Sequence, residues 1–361
     1  MRAQVVAFKT TDPLASIEEL RDGDLAQWDE FVRQHKWGVV GHLSGWKRAI
    51  EETFPHIRGR ILALRSNGGK IIAGIPTYEV KSSFLGSRTV SIPFATLCDP
   101  LVNSAKQFKT LFNYMSGPHG AAVRVGAWRS AEALGLEDEA HDTGFIHHFL
   151  PLEGSFERLA RTFSKTAVRQ MVARAQRSGV YVESFGGEAG LKTFYDLYCY
   201  TRHRLGLPSM PFRFFDSIYR HLGSDRILLM HARLDEQIVG SLLAFKWKDT
   251  IAVECMGERR AARTLGVNQL LWWEAIRHAC EEEFRIFSFG RTHRSNKGLL
   301  DFKRRWGTQE EVLPVFVHPA PTKGVVYTAE GTMTRFLRRL TSATPDALYT
   351  RFSALCYRHL G

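Results

Sequence analysis

Arg60-Ile61-Leu62, a turn, and Ile72-x-Gly74 make a pattern that returns 166 positions later without a gap, as Arg226-Ile227-Leu228, a turn, and Ile238-x-Gly240. Each copy reads as a β-hairpin, with Asn67-Gly68-Gly69 or Leu234-Asp235-Glu236 at the bend between two apolar strands. The flanking elements repeat in the same order. Helical patterns at 24–34 and 45–54 fall on 190–203 and 211–221, the helix at 105–115 on 268–282, and the strand at 121–125 on 286–289. A solenoid repeat spans only roughly 20–50 residues, so this period means whole domains. It predicts two similar domains over 1–150 and 151–325, then a helical tail over 326–361. Hairpin-linked strands among helices predict an α+β fold, each domain a mixed, mostly antiparallel sheet flanked by helices.

At 361 residues the chain can bury two cores. Its five cysteines, Cys98, Cys199, Cys255, Cys280 and Cys356, are odd in number and lack Cys-x-x-Cys spacing. That argues against a disulfide framework or a zinc site, predicts no metal, and suits a reducing cytoplasm. The apolar run at Met1 to Phe8 is too short for a signal peptide, and nothing reaches the ~18–20 apolar residues of a membrane span. The net charge of +12 predicts a polyanionic partner: RNA, nucleotide phosphates, a pyrophosphate-linked lipid or an anionic membrane surface, with no DNA expected. The tail reads as two short basic amphipathic helices split at Pro345. They are expected to pack on the body, with a peripheral membrane contact at the inner face as the second reading.

Within the second half, residues 155–178 read as one strongly basic helix stopped by Gly179. Further on, Arg259-Arg260-Ala261-Ala262-Arg263-Thr264-Leu265-Gly266-Val267-Asn268 lies between a strand and a long helix. Backbone N–H groups at such a helix start, with Arg260 and Arg263 beside them, suit a phosphate. The spacing Arg263-x-x-Gly266-x-Asn268 resembles the loop by which GNAT acyltransferases hold coenzyme A pyrophosphate, with Asn268 where that family has a small residue. The alternative reading is a solvated turn with Asn268 as the helix N-cap. A second segment, Phe287-Ser288-Phe289-Gly290-Arg291-Thr292-His293-Arg294-Ser295, ends a strand and delivers Arg, Thr, His and Ser to one place. Phe302-Lys303-x-x-Trp306-Gly307 follows with more cations and an aromatic.

That block resembles the C-terminal signature of the FemAB-like proteins, whose fold is two GNAT-type domains in tandem. Three other segments are similar to theirs. These are Lys165-x-x-x-Arg169-x-x-x-x-Arg174-Ala175-x-x-x-Gly179, Arg202-x-Arg204-Leu205-Gly206-Leu207-Pro208, and Val80-Lys81-Ser82-x-x-x-Gly86 through Ser91-Ile92-Pro93-Phe94. The pattern is closest to the subgroup associated with exosortase and exopolysaccharide gene clusters. The resemblance implies transfer of an acyl or aminoacyl group to an amine of a cell-envelope glycan, peptide or lipid-linked precursor. The donor is acyl-CoA or aminoacyl-tRNA, taken as a co-substrate with no tightly bound cofactor. A heptad-rich arm that some members carry is absent between Thr166 and Gly206.

Such transfer needs a neutral amine, a stabilised oxyanion and two aligned substrates, with no protein nucleophile. The chain agrees: it has no Gly-x-Ser-x-Gly, His-Glu-x-x-His, Walker A loop or Gly-x-Gly-x-x-Gly. Arg291, Lys303 and Arg304 are the candidates for binding phosphates or the reacting carbonyl, and His293 for relaying a proton. Lys165 and Arg169, four apart, would share a helical face toward an anionic substrate, with Arg202 and Arg204 adding to it. Trp46 matches a position that lines the acceptor cleft in relatives. Glu254 and Asp301 are alternative bases. A competing class is a non-catalytic GNAT-fold protein that binds RNA or an anionic polymer.

Overall fold

The structure is a computed structural model that describes residues 16–83, 86–117, 122–320 and 332–360. The apolar run at Met1 to Phe8 and Ala121, read as opening a strand, lie outside the described residues. The chain forms two compact units. One takes the described residues through Thr143 with 313–320 and 358–360; the other takes Gly144–Val312 with 332–357. Two of the passages between units, after Thr143 and after Val312, fall inside strands.

In chain order the first half contains β1 (Ser16–Glu19), α1 (Leu25–Gln34), α2 (Ser44–Thr53), β2 (Ile57–Arg65), β3 (Ile71–Ser82), β4 (Gly86–Val90), α3 (Ala105–Ser116), β5 (Ala122–Gly126), α4 (Ser130–Ala133) and β6 (His141–Pro151). The second half contains α5 (Phe156–Thr162), a π-helical turn at Lys165–Arg169, α6 (Gln170–Arg177), β7 (Tyr181–Ser184), α7 (Gly187–Arg204), α8 (Phe212–Leu222), β8 (Ile227–Leu234), β9 (Gln237–Trp247) and β10 (Thr250–Glu258). It continues with α9 (Arg260–Arg263), α10 (Val267–Glu281), β11 (Ile286–His293), α11 (Lys297–Arg304), β12 (Gln309–His318), α12 (Thr332–Ala343) and α13 (Asp346–Tyr357).

The expected α+β architecture is present, and the duplication extends to the pairing of the strands. In the first unit β1, β2, β3 and β4 pair antiparallel in turn, β4 pairs parallel with β5, and β5 pairs antiparallel with β12. In the second, β7, β8, β9 and β10 pair antiparallel, β10 pairs parallel with β11, and β11 pairs antiparallel with β6. Each unit's last strand is therefore the one that follows the other unit's core in sequence. Residues 145–151 of β6 serve the second unit, and 315–318 of β12 serve the first.

Below the level of topology the two copies differ. Ile61 faces Pro76, whereas the matched Ile227 faces Phe245, three residues further along its partner strand. The first hairpin turns through residues 66–70, the second through Asp235-Glu236 alone, with Asp235 at φ +50°. The repeated glycines consequently meet different neighbours. A Cβ on Gly74 would lie 2.5 Å from the Trp28 ring of α1, and one on Gly240 would lie 2.7 Å from Val267 of α10.

The single helix expected over 155–178 is three pieces. Buried Phe163 adopts an extended backbone after α5, and the Ser164 side chain accepts the Ala167 N–H to start the π-turn. The second unit's core then runs through Phe163, Val172, Leu271, Trp272, Phe287, Phe289 and Trp306, with Trp272 stacked on Phe289 at 4.5 Å. The tail helices split at Pro345 and pack on the body as expected. Tyr349 Oη donates to Leu207 O (2.8 Å), the Ser209 N–H donates to Ser353 Oγ (3.1 Å), and His203 stacks on Tyr349.

Candidate active site

β10 and β11 are hydrogen-bonded in parallel only from Thr250–Ile286 to Ala252–Ser288. Beyond that point both strands turn irregular. β10 bulges between Val253 and Cys255, and β11 loses register between Ser288 and Arg291, with Gly290 at φ +69°. The sheet therefore opens into a gap, and β11 carbonyls that a neighbouring strand would have bonded need another donor. Lys303 of α11 supplies it. Its ammonium donates to Gly290 O (3.0 Å) and Arg291 O (3.3 Å), and its side chain is 3 % exposed.

Glu254, the bulged residue of β10, shares this gap. Burial pushes its carboxyl up to about 7, partly offset by the positive charges of Arg291 and Lys303. Burial pulls the Lys303 ammonium down to about 7, partly offset by Glu254. Each group is the other's counter-charge in a site that disfavours charge, and both titrate near neutrality. Arg291 is exposed, with its guanidinium 5.0 Å from the Phe145 ring centre.

Not all of the expected residues join this cluster. His293 is half-buried, its ring edge-on to Phe145 at 5.0 Å, and its Nδ1 accepts the Ser295 N–H (3.2 Å). Arg304 is turned to Glu310, making two bonds of 2.6 and 3.1 Å, and Asp301 lies 3.9 Å from it. Lys165 is exposed, while Arg169 bonds back to Phe163 O at 3.2 Å. Arg202 holds Pro208 O with two donors (3.1 and 2.8 Å) among Tyr198, Tyr349 and Tyr357, bracing the loop beneath α13. Trp46, expected to line an acceptor cleft, is 2 % exposed within the first unit.

Next to the gap, β10 runs into the loop with the three arginines. Glu258 ends the strand almost fully buried, 3.7 Å from Arg263. Burial raises its carboxyl pKa, and Arg263 and Arg204 lower it. Gly266, at φ +90°, is the N-cap of α10, so Asn268 lies inside the first turn and is not the cap. Its missing Cβ faces Met171 O of α6 at 2.4 Å, so helix packing demands this glycine irrespective of any ligand. No side chain caps α10, whereas in the first unit Ser104 accepts the Gln107 N–H and Gln107 accepts the Asn103 N–H at the start of α3. The second unit thus presents the barer helix start beside its gap.

Sequence reasoning ranked Glu254 low and missed His148. His148 is fully buried on β6, 3.6 Å from Glu310, and burial with the nearby Lys303 charge lowers its pKa to about 4. Glu254 did leave a signal, as the one charged residue in the apolar run Ile251 to Met256. Among the described residues no cluster of His, Cys, Asp and Glu could hold a metal, and no helix is long and apolar enough to cross a membrane.

Residues 163–304, which contain the whole gap, match the family model described as an acetyltransferase (GNAT) domain. A search of curated proteins finds no match. Among solved structures, FemX superposes with a TM-score of 0.65 at 16% identity, covering 83% of this chain and 97% of FemX. L-PGS from Bacillus licheniformis gives 0.55 at 15% identity, covering 91% and 99%. A conserved protein of unknown function from Bacteroides thetaiotaomicron VPI-5482 gives 0.58 at 9% identity, covering 84% and 98%. At such identities these likenesses establish the fold alone; the GNAT model covers the second unit, and the first unit repeats its strand pairing.

Proposed function

We propose that this chain is an acyltransferase of the FemAB-like kind, working at the gap between β10 and β11 of its second unit. It moves an acyl or aminoacyl group from acyl-CoA or aminoacyl-tRNA to an amine of a cell-envelope glycan, peptide or lipid-linked precursor. The observation that carries this reading is the parting of β10 from β11, where the bulged Glu254 and the buried Lys303 act on each other electrostatically and burial pushes the carboxyl up, and the ammonium down, to about 7. A carboxylate of that pKa is a competent base for an ammonium at neutral pH.

In the reaction, Glu254 takes one proton from the acceptor ammonium. The neutral amine attacks the donor carbonyl, forming the C–N bond as the carbonyl electron pair moves onto oxygen. Arg291 and charged Lys303 stabilise that oxyanion. Collapse breaks the bond to sulfur or to the ester oxygen, and the nitrogen's second proton leaves with the departing thiol or hydroxyl. Glu254 then returns its proton to solvent. The α10 N-terminus, with Arg260 and Arg263, receives the donor's phosphates. Within this reading Arg291 is catalytic, and Lys303 joins it in a role beyond substrate binding; His293 is placed too far into its own contacts with Phe145 and Ser295 to be the first choice of base.

The test is native mass spectrometry of the full chain with acetyl-coenzyme A and, separately, with charged tRNA. A complex with either donor that weakens in Arg263→Ala supports the reading and selects the donor. Failure of both donors to bind would overturn it.

A further inference from the structure

The tail helix α13 is apolar on two opposite sides, and the body covers one of them. At about 100° per residue, Tyr349, Ser353 and Tyr357 share a face, and they are 3 %, 1 % and 6 % exposed. Ala347, Leu348, Arg351, Ala354 and Leu355 fall on the other side, at the i, i+1, i+4, i+7, i+8 spacing of a single stripe. All five are exposed, Leu348 at 51 % and Leu355 at 53 %. The preceding helix α12 adds Leu340, 40 % exposed, beside exposed Arg338 and Arg339. An apolar helix face normally lies against another apolar surface, so this second face is one short of a partner.

The charges around the leucines select that partner. Arg338, Arg339 and Arg351 are exposed and make no ion pair among the described residues, while Asp346, the acid that opens α13, lies 2.9 Å from His203 Nδ1. A second copy of the chain would bring the same arginines face to face, a like-charge arrangement that opposes self-association. An anionic bilayer surface meets both requirements. Leucines enter the acyl boundary while arginines stay at headgroup level beside lipid phosphates, the stem of each lying along the apolar surface.

We propose that the outer face of α12 and α13, centred on Leu340, Leu348, Arg351 and Leu355, docks this protein on an anionic lipid membrane. The face stands apart from the transfer chemistry, since none of these residues belongs to the gap between β10 and β11. Docking is peripheral and reversible, because the inner face of α13 remains packed on the body.

Vesicle co-sedimentation with the full chain tests it, using phosphatidylcholine alone and an equal mixture of phosphatidylcholine and phosphatidylglycerol. The wild type is expected to sediment with the mixed vesicles and stay in solution with the neutral ones, releasing at high salt. Leu348→Ser with Leu355→Ser should lower the partition coefficient about tenfold or more. Arg338→Gln, Arg339→Gln and Arg351→Gln together should lower it roughly a hundredfold. All five side chains point to solvent, so both variants should keep the wild-type unfolding midpoint; if the leucine variant misfolds, the arginine variant carries the test. Wild-type protein that ignores both vesicles, or a folded variant that binds like the wild type, would overturn the proposal. So would a wild-type dimer that the leucine substitutions disperse, since the face would then belong to a second copy.

Discussion

Glu254 and Lys303 oppose each other through burial, so substitutions at either have a signed consequence for pH dependence. Transfer should pass through a maximum near pH 7, falling above it as Lys303 loses the charge that holds the oxyanion and showing below it a rising limb as Glu254 loses its proton. Glu254→Gln should reduce the rate about 10²–10⁴-fold and abolish that limb, as expected for loss of a general base. A steady-state pH profile checks both, and an unchanged limb in the variant would remove Glu254 from the role. Arg291→Ala takes away a positive charge that lowers the Glu254 pKa, so the limb should move to higher pH. Because Arg291 is exposed, its loss should change stability by no more than about 0.5 kcal/mol. Lys303→Met should move the limb in the same direction but destabilise the fold by about 2–4 kcal/mol, since it strands two carbonyls and a buried carboxyl. At this scale the sequence pointed to 287–307, the neighbourhood of the proposed site, from its strand ending in Gly290 and its run of cations. It could not single out Glu254 as the proposed base, because desolvation of its carboxyl depends on what packs around the side chain.

Among the elements, the pairing of α6 with α10 makes the clearest demand. Gly266→Ala must accommodate a Cβ 2.4 Å from Met171 O at a φ of +90°, and should destabilise the protein by about 2–4 kcal/mol. Urea unfolding of the variant reads this directly; a wild-type midpoint would mean that α6 can move aside. Strands, hairpin bends and the helix break at Pro345 were readable because period, turn residues and proline act within a few positions. The division of the expected 155–178 helix was not. All of its residues tolerate a helix, and the break comes from Phe163 turning into a core built by distant residues such as Trp273 and Trp306. The gapless 166-residue match likewise identified two hairpins while concealing that their registers differ by three residues, since register follows the turn and the faces packed against it.

For the molecule as a whole, buried titratable groups of opposite sign shape stability against pH. His231 is fully buried between Phe185 O and Ser241 Oγ, and burial lowers its pKa to about 4, as it does for His148. The unfolded chain takes up protons at these histidines below about 6.5 while the folded one does not, so each favours unfolding as pH falls from about 6.5 to 4. Glu254 acts in the other direction. Its raised pKa lets the folded chain keep a proton that the unfolded one loses, so its contribution declines as pH rises from about 4.5 to 7. Glu254→Gln should therefore make stability increase more steeply with pH across that window, by about 1 kcal/mol per pH unit. Denaturant melts at several pH values test the slope, and an identical slope in the variant would contradict the raised pKa. By itself the sequence determined the α+β class and the tandem order of the elements, because hydrophobic period and turn chemistry are local properties, while the acyl-transfer expectation rested on its resemblance to the FemAB-like proteins. Only the tertiary structure decided which strand completes which unit, which hairpin register closes, and that Glu254 and Lys303 meet in a desolvated gap. Those outcomes depend on contacts between residues far apart in the chain, and burial, which sets the charge state of both groups, exists only once those contacts have formed.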